Sequence, residues 1–122
     1  MLARKLRAAT AAEAADPSWD LANAVYQGSP INYFSVGGQE SNPNGFFFKP
    51  DGLKMYVIGS VKDNVNEYNL STAWDISTAS YSQLFSVAAQ ETTPSALFFK
   101  PDGLEMYITG AVTDAIWSYD FV

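Results

Sequence analysis

The 122-residue chain contains no cysteine and no histidine. The first absence excludes disulfides, thiol nucleophiles and cysteine-based zinc sites. The second removes at once the usual general base, the usual proton shuttle and the commonest metal ligand, which makes catalysis the least supported class of function. Charge is sparse and biased towards acid, with a formal net of −6. Residues 1–16 set Arg4, Lys5 and Arg7 against Glu13 and Asp16, a net +1, and the remainder sets Lys49, Lys54, Lys62 and Lys100 against eleven acids, a net −7. An acidic body is poorly suited to phosphates, so nucleic acid is not an expected partner. There is no run of about 18 apolar residues, so neither a membrane span nor a membrane partner is expected. The Ala-rich stretch after Met1-Leu2-Ala3-Arg4-Lys5 lacks the large apolar residues of a signal-peptide core, and the N-terminus is read as part of the mature protein.

What the chain does have is aromatic residues, 15% of the total, and an internal repeat. Phe, Tyr and Val in this proportion suit strands with one buried face, and the length suits one small all-β domain. Residues 34–71 align without a gap on residues 85–122, with 19 identities in 38 positions. The match is densest in Phe47-Phe48-Lys49-Pro50-Asp51-Gly52-Leu53 against Phe98-Phe99-Lys100-Pro101-Asp102-Gly103-Leu104, followed by Met55-Tyr56 against Met106-Tyr107. Upstream, Trp19-Asp20-Leu21-Ala22-Asn23-Ala24-Val25-Tyr26 matches Trp74-Asp75-Ile76-Ser77-Thr78-Ala79-Ser80-Tyr81 at a larger offset, so the first copy carries a four-residue insertion within residues 27–33. A loop tolerates such an insertion at little cost.

Each copy reads as four short strands. Phe46–Lys49 ends at Pro50-Asp51-Gly52, where Pro presets φ and Gly is free to take a positive one. Lys54–Ser60 alternates Met55, Val57 and Gly59 against Tyr56 and Ile58, as the second strand of a hairpin. Asn64–Leu70 reads as a third, more exposed strand, and Tyr81–Val87 as the fourth, after a polar connection. Four antiparallel strands at a period of about 50 residues are the pattern of propeller blades.

The Phe-x-Pro-Asp-Gly-x-x-Met-Tyr pattern at Phe48–Tyr56 and Phe99–Tyr107 resembles the repeat of lactonase-like, YVTN-type β-propellers. The longer string from Phe47 to Ala79 is similar to repeats of tailed-phage virion structural proteins. The resemblance covers about residues 19–122. It implies a propeller module at 17–122, with copies at about 19–73 and 74–122, and a short helical or extended N-terminal arm at 1–16.

The phase of the repeat adds an expectation about assembly. Val122 follows the third strand of the second copy, and residues 24–36 form a fourth strand with no blade of their own. Two blades cannot bring these halves together within one chain, so closure is expected between chains, Tyr33, Phe34 and Val36 of one subunit pairing with Ile116, Trp117 and Tyr119 of the next. Propellers run to roughly 4–8 blades, which allows a dimer, trimer or tetramer and favours a homotrimer of six blades.

Leu2, Arg4, Lys5, Leu6 and Arg7 form a docking arm for a larger assembly such as a capsid or tail. Trp19 and Trp74 form a platform for sugar rings, or pack between blades. Asp51 and Asp102 are turn residues rather than ligands, and Asp63 and Asp114 are read as capping the next turn. Gly59 and Gly110 mark a bulge or a close approach. No catalytic residue, cofactor or metal site is expected. The function read from these features is non-enzymatic: a virion structural protein, with a multivalent lectin or receptor-binding module as the alternative.

Overall fold

The computed structural model describes residues 16, 18–28 and 33–122. It is all-β, with seven strands: β1 (Pro43–Phe48), β2 (Lys54–Gly59), β3 (Asn64–Leu70), β4 (Ala79–Ser86), β5 (Pro94–Phe99), β6 (Glu105–Gly110) and β7 (Ile116–Asp120). They form two antiparallel sheets in simple sequential order, β1-β2-β3-β4 and β5-β6-β7. The docking arm at residues 2–7 lies outside the described residues.

The turns repeat atom for atom. After β1, Asp51 Oδ1 accepts from Leu53 N–H at 2.9 Å, and Gly52, at φ +75°, donates to Lys49 O at 2.8 Å. After β5, Asp102 Oδ1 accepts from Leu104 N–H at 2.9 Å, and Gly103, also at φ +75°, donates to Lys100 O at 2.8 Å. Glycine takes this conformation without a Cβ clash, and an Asp two residues before a free N–H closes the turn. The strand registers that follow are also shared, with Phe47 opposite Tyr56 and Phe98 opposite Tyr107.

Three expectations are corrected. The first strand begins at Pro43, three residues earlier than its apolar run, because a proline is accepted at the first position of a strand. β3 is not an exposed strand: Val65, Asn66, Tyr68 and Leu70 are all buried. It lies between β2 and β4 and is packed on both faces, which its polar Asn residues conceal. Finally, residues 24–28 and 33–36 carry no strand. A strand needs a neighbour for its backbone hydrogen bonds, and no described strand of this chain lies beside them.

Alternation sorts the core into two layers. Ile58 and Val65 of the first sheet meet Phe99, Met106 and Ile108 of the second, with Val87 from the connection closing the junction. On the opposite face of the first sheet, Met55, Val57, Tyr68 and Leu70 are covered by Phe34, Val36, Phe48 and Ile76. Asn66 is fully buried, and its side-chain nitrogen and oxygen have no hydrogen-bond partner among the described residues. An unsatisfied buried amide is destabilising, so Asn66→Leu is expected to raise stability by about 1 kcal/mol in urea unfolding.

Candidate assembly surface

Two buried carboxylates organise the repeat. Glu40, only 1% exposed, accepts from the backbone N–H groups of Asn42 at 2.8 Å, Val61 at 3.3 Å and Lys62 at 3.0 Å. Glu91, equally buried, does the same for Thr93 at 2.9 Å, Val112 at 3.3 Å and Thr113 at 3.1 Å, and also receives the Thr113 hydroxyl. Each carboxylate thus ties the segment entering its sheet to the turn after the second strand. Beside them, Tyr68 donates its hydroxyl to Gln39 at 3.1 Å, and Tyr119 to Gln90 at 3.0 Å. Sequence reading missed this latch, although Gln39-Glu40 and Gln90-Glu91 recur at the repeat spacing. The close-approach reading of Gly59 and Gly110 is explained by it, since a Cβ at either would collide with the latch glutamate and with a backbone carbonyl.

The latch has a pH signature. Hydrogen bonding, foremost from the Thr113 side chain and then from the backbone N–H groups, outweighs the opposing effect of burial and holds Glu91 below its ordinary value of 4.5. A carboxylate whose pKa is depressed on folding stabilises the fold above its unfolded value, and that contribution is lost as pH falls through the folded one. Urea titrations between pH 7 and pH 3 are therefore expected to show stability dropping below about pH 4.5. Glu91→Gln is expected to flatten that drop.

The two sheets end differently at their edges. The outer edge of β3 is paired along its length by β4, with Val65 opposite Phe85 and Tyr68 opposite Tyr81. The corresponding edge of β7 has no neighbouring strand among the described residues. The open face shows the same contrast: Val65 is 5% exposed beneath the second sheet, whereas Ile116, its repeat counterpart, is 76% exposed. Phe98 likewise projects where Phe47 is half-buried.

The expected interface residues fall on two separate surfaces. Phe34 and Val36 pack on the far face of the first sheet, where the Phe34 ring meets Tyr68 edge-on at 5.5 Å. Phe85 meets Tyr119 in the same way at 5.4 Å. Tyr33 is exposed. Ile116, Trp117 and Tyr119 lie on β7 in the second sheet, with Trp117 donating from Nε1 to Thr113 Oγ1 at 3.1 Å. One chain does not bring the two groups together.

Trp74 and Trp19 also diverge. Trp74 lays its indole on Gly52 and stands 5.3 Å from the Phe48 ring, whereas Trp19 is fully exposed. Asp51 and Asp102 close turns, as expected, and each is paired with the lysine before it, at 3.1 and 3.3 Å. Asp63 does not cap its turn through Oδ1, which is buried without a hydrogen bond. Its carboxyl is pushed up by burial and by the neighbouring Glu40 and Glu91. Among the described residues, no three acidic side chains are grouped to hold a metal ion, and no helix is long and apolar enough to cross a membrane. Comparison with protein-family models, curated proteins and solved structures found no match.

Proposed function

We propose that this chain is a non-enzymatic assembly protein, a two-blade unit of a β-propeller that joins further copies of itself head to tail to complete a ring. The observation that carries this reading is the mismatch between its two ends. The second sheet offers an edge at β7 with no neighbouring strand among the described residues, and an open face with Phe98 and Ile116. The first sheet offers a face where Phe46 is 66% exposed beside Phe48 and Met55. The junction inside the chain already shows how two such faces pack, so a second copy can repeat it.

A repeated head-to-tail contact either closes or grows a filament, and three copies with two blades each give a six-bladed ring. The resemblance of the repeat to virion structural proteins supports a place in a capsid decoration or a tail, with the basic arm at Leu2, Arg4, Lys5, Leu6 and Arg7 as the attachment to the larger assembly. A carbohydrate-binding reading draws on Trp19 and Trp74. It is less favoured because Trp74 already uses one face of its ring on Gly52.

Light scattering is expected to give about three times the chain mass of 13.3 kDa. Ile116→Glu is expected to shift that mass to one chain, since the charge would be buried unpaired in the joint. A folded wild-type monomer at every concentration overturns the reading.

A further inference from the structure

Among the described residues β7 has no outer neighbour, and the first sheet holds a template for one. There the chain reaches β4 through a hook at residues 74–79. Trp74 takes φ +66°, donates its N–H to Gly52 O at 2.9 Å, and covers that glycine so closely that a Cβ there would lie 2.6 Å from the indole. Asp75 then caps a single 3₁₀ turn at Ile76–Thr78, accepting from Ser77 N–H at 3.0 Å, and Ala79 N–H closes the turn on Ile76 O. From Ala79 the chain pairs with Leu70, and Tyr81 pairs with Tyr68.

Residues 19–24 hold the same shape and stand exposed. Trp19 is also at φ +66°. Asp20 caps a 3₁₀ turn at Leu21–Asn23, accepting from Ala22 N–H at 3.0 Å, and Ala24 N–H closes it on Leu21 O. A positive φ is costly for a bulky residue, and at Trp74 docking on Gly52 offsets the cost. Among the described residues Trp19 has no such contact: Trp19 is 103% exposed, Leu21 90% and Val25 85%.

The second sheet holds the matching vacancy. Gly103 repeats Gly52 in conformation, yet nothing lies within 4 Å of where its Cβ would stand. Beside it, between the two sheets, opens a cavity of about 460 Å³ lined by Gly103, Met106 and Phe121 on one side and by Tyr56, Val65 and Phe85 on the other, among others. In the first sheet, the cluster containing Met55, Tyr68 and Leu70 is covered by Ile76 and Ala79.

We infer that Trp19 of one copy docks on Gly103 of a second copy, with its N–H on Gly103 O, and that the hook at 19–24 guides the following residues onto the β7 edge. By the repeat, Ala24 then pairs with Phe121, Tyr26 with Tyr119 and Phe34 with Ile116. The Phe34 ring stays on Tyr68 of its own chain, as Phe85 pairs with β3 while its ring rests on Tyr119. The occupant is a second copy because this chain carries both the unfilled seat and an unused hook of the conformation that fills its first seat. The inference rests on the head-to-tail assembly proposed above.

Two measurements on the full chain test it. Because Trp19 is fully exposed within its own chain, Trp19→Ala leaves the fold intact, and its effect on light-scattering mass across a dilution series reports association alone. A buried interface tryptophan is often worth a factor of about 30 or more in affinity, so dissociation is expected at concentrations at least that much higher than for wild type. Acrylamide quenching of wild type compared with Trp19→Phe isolates the Trp19 emission, which is expected to be protected in the assembled protein and exposed after dilution. An oligomer that keeps its mass on Trp19→Ala, with Trp19 open to quencher, overturns the docking and leaves the assembly reading standing. A wild-type monomer overturns both.

Discussion

Gly59→Ala is expected to destabilise the protein by about 3 kcal/mol, a loss of roughly 10 °C or more in Tm for a chain of this size. An added methyl at this position would stand under 3.0 Å from the Glu40 side chain and from the Asn42 carbonyl. Rotating Glu40 away relieves only part of the clash, because the Asn42 carbonyl is backbone. Rotation also gives up the part-buried hydrogen bonds from Asn42, Val61 and Lys62, each worth about 1 kcal/mol. Thermal melts of Gly59→Ala, Glu40→Ala and the double variant check the mechanism. Each single change disrupts the same latch, so the double variant is expected to lose clearly less than the sum of the two. Strict additivity would mean that glycine is needed here for a reason other than the approach of the carboxylate.

Ile58→Ala is expected to remove about 3–4 kcal/mol, measured by urea unfolding. Ile58 is fully buried at the junction of the two sheets, against Val65, Val87, Phe99, Met106 and Ile108. Truncation leaves a cavity in a layer that the flanking strands hold apart, so collapse fills it poorly. The repeat supplies an internal control. Thr109 occupies the corresponding place in the second sheet, is half-buried, and bonds its hydroxyl to Ala115 O at 2.9 Å. Thr109→Ala is expected to cost about 1 kcal/mol, the worth of one hydrogen bond, in keeping with a face on which no further sheet is packed. Equal losses at the two positions would contradict the layer order described here.

Much of the architecture was legible in the residues. Pro50-Asp51-Gly52 and Pro101-Asp102-Gly103 carry their turn chemistry locally, and the alternation of Met55 and Val57 against Tyr56 and Ile58 names the two faces of β2 correctly. The Glu40 and Glu91 latch was less legible. A glutamate among polar neighbours reads as surface, and only the backbone donors converging on it make burial tolerable. β3 misled for the same reason, since Asn64, Asn66 and Asn69 suggest exposure, yet Asn66 is fully buried, Asn64 half-buried and Asn69 alone exposed.

Sequence alone determined much of the local conformation of this protein: the three strands that recur in each copy, the fourth strand of the first sheet, and the Pro-Asp-Gly turns. Local conformation follows from residue-scale sterics and side-chain hydrogen bonds, which identical strings repeat. Tertiary structure decided what each shape is used for. Among the described residues, Trp74 sits on Gly52 and Trp19 stands exposed; Val65 is covered and Ile116 is bare; β3 is paired on both edges and β7 on one. The physical reason is that burial and edge pairing belong to a residue's neighbours in space, and among the described residues only the first copy has a fourth strand on its edge and side chains packed over both of its faces.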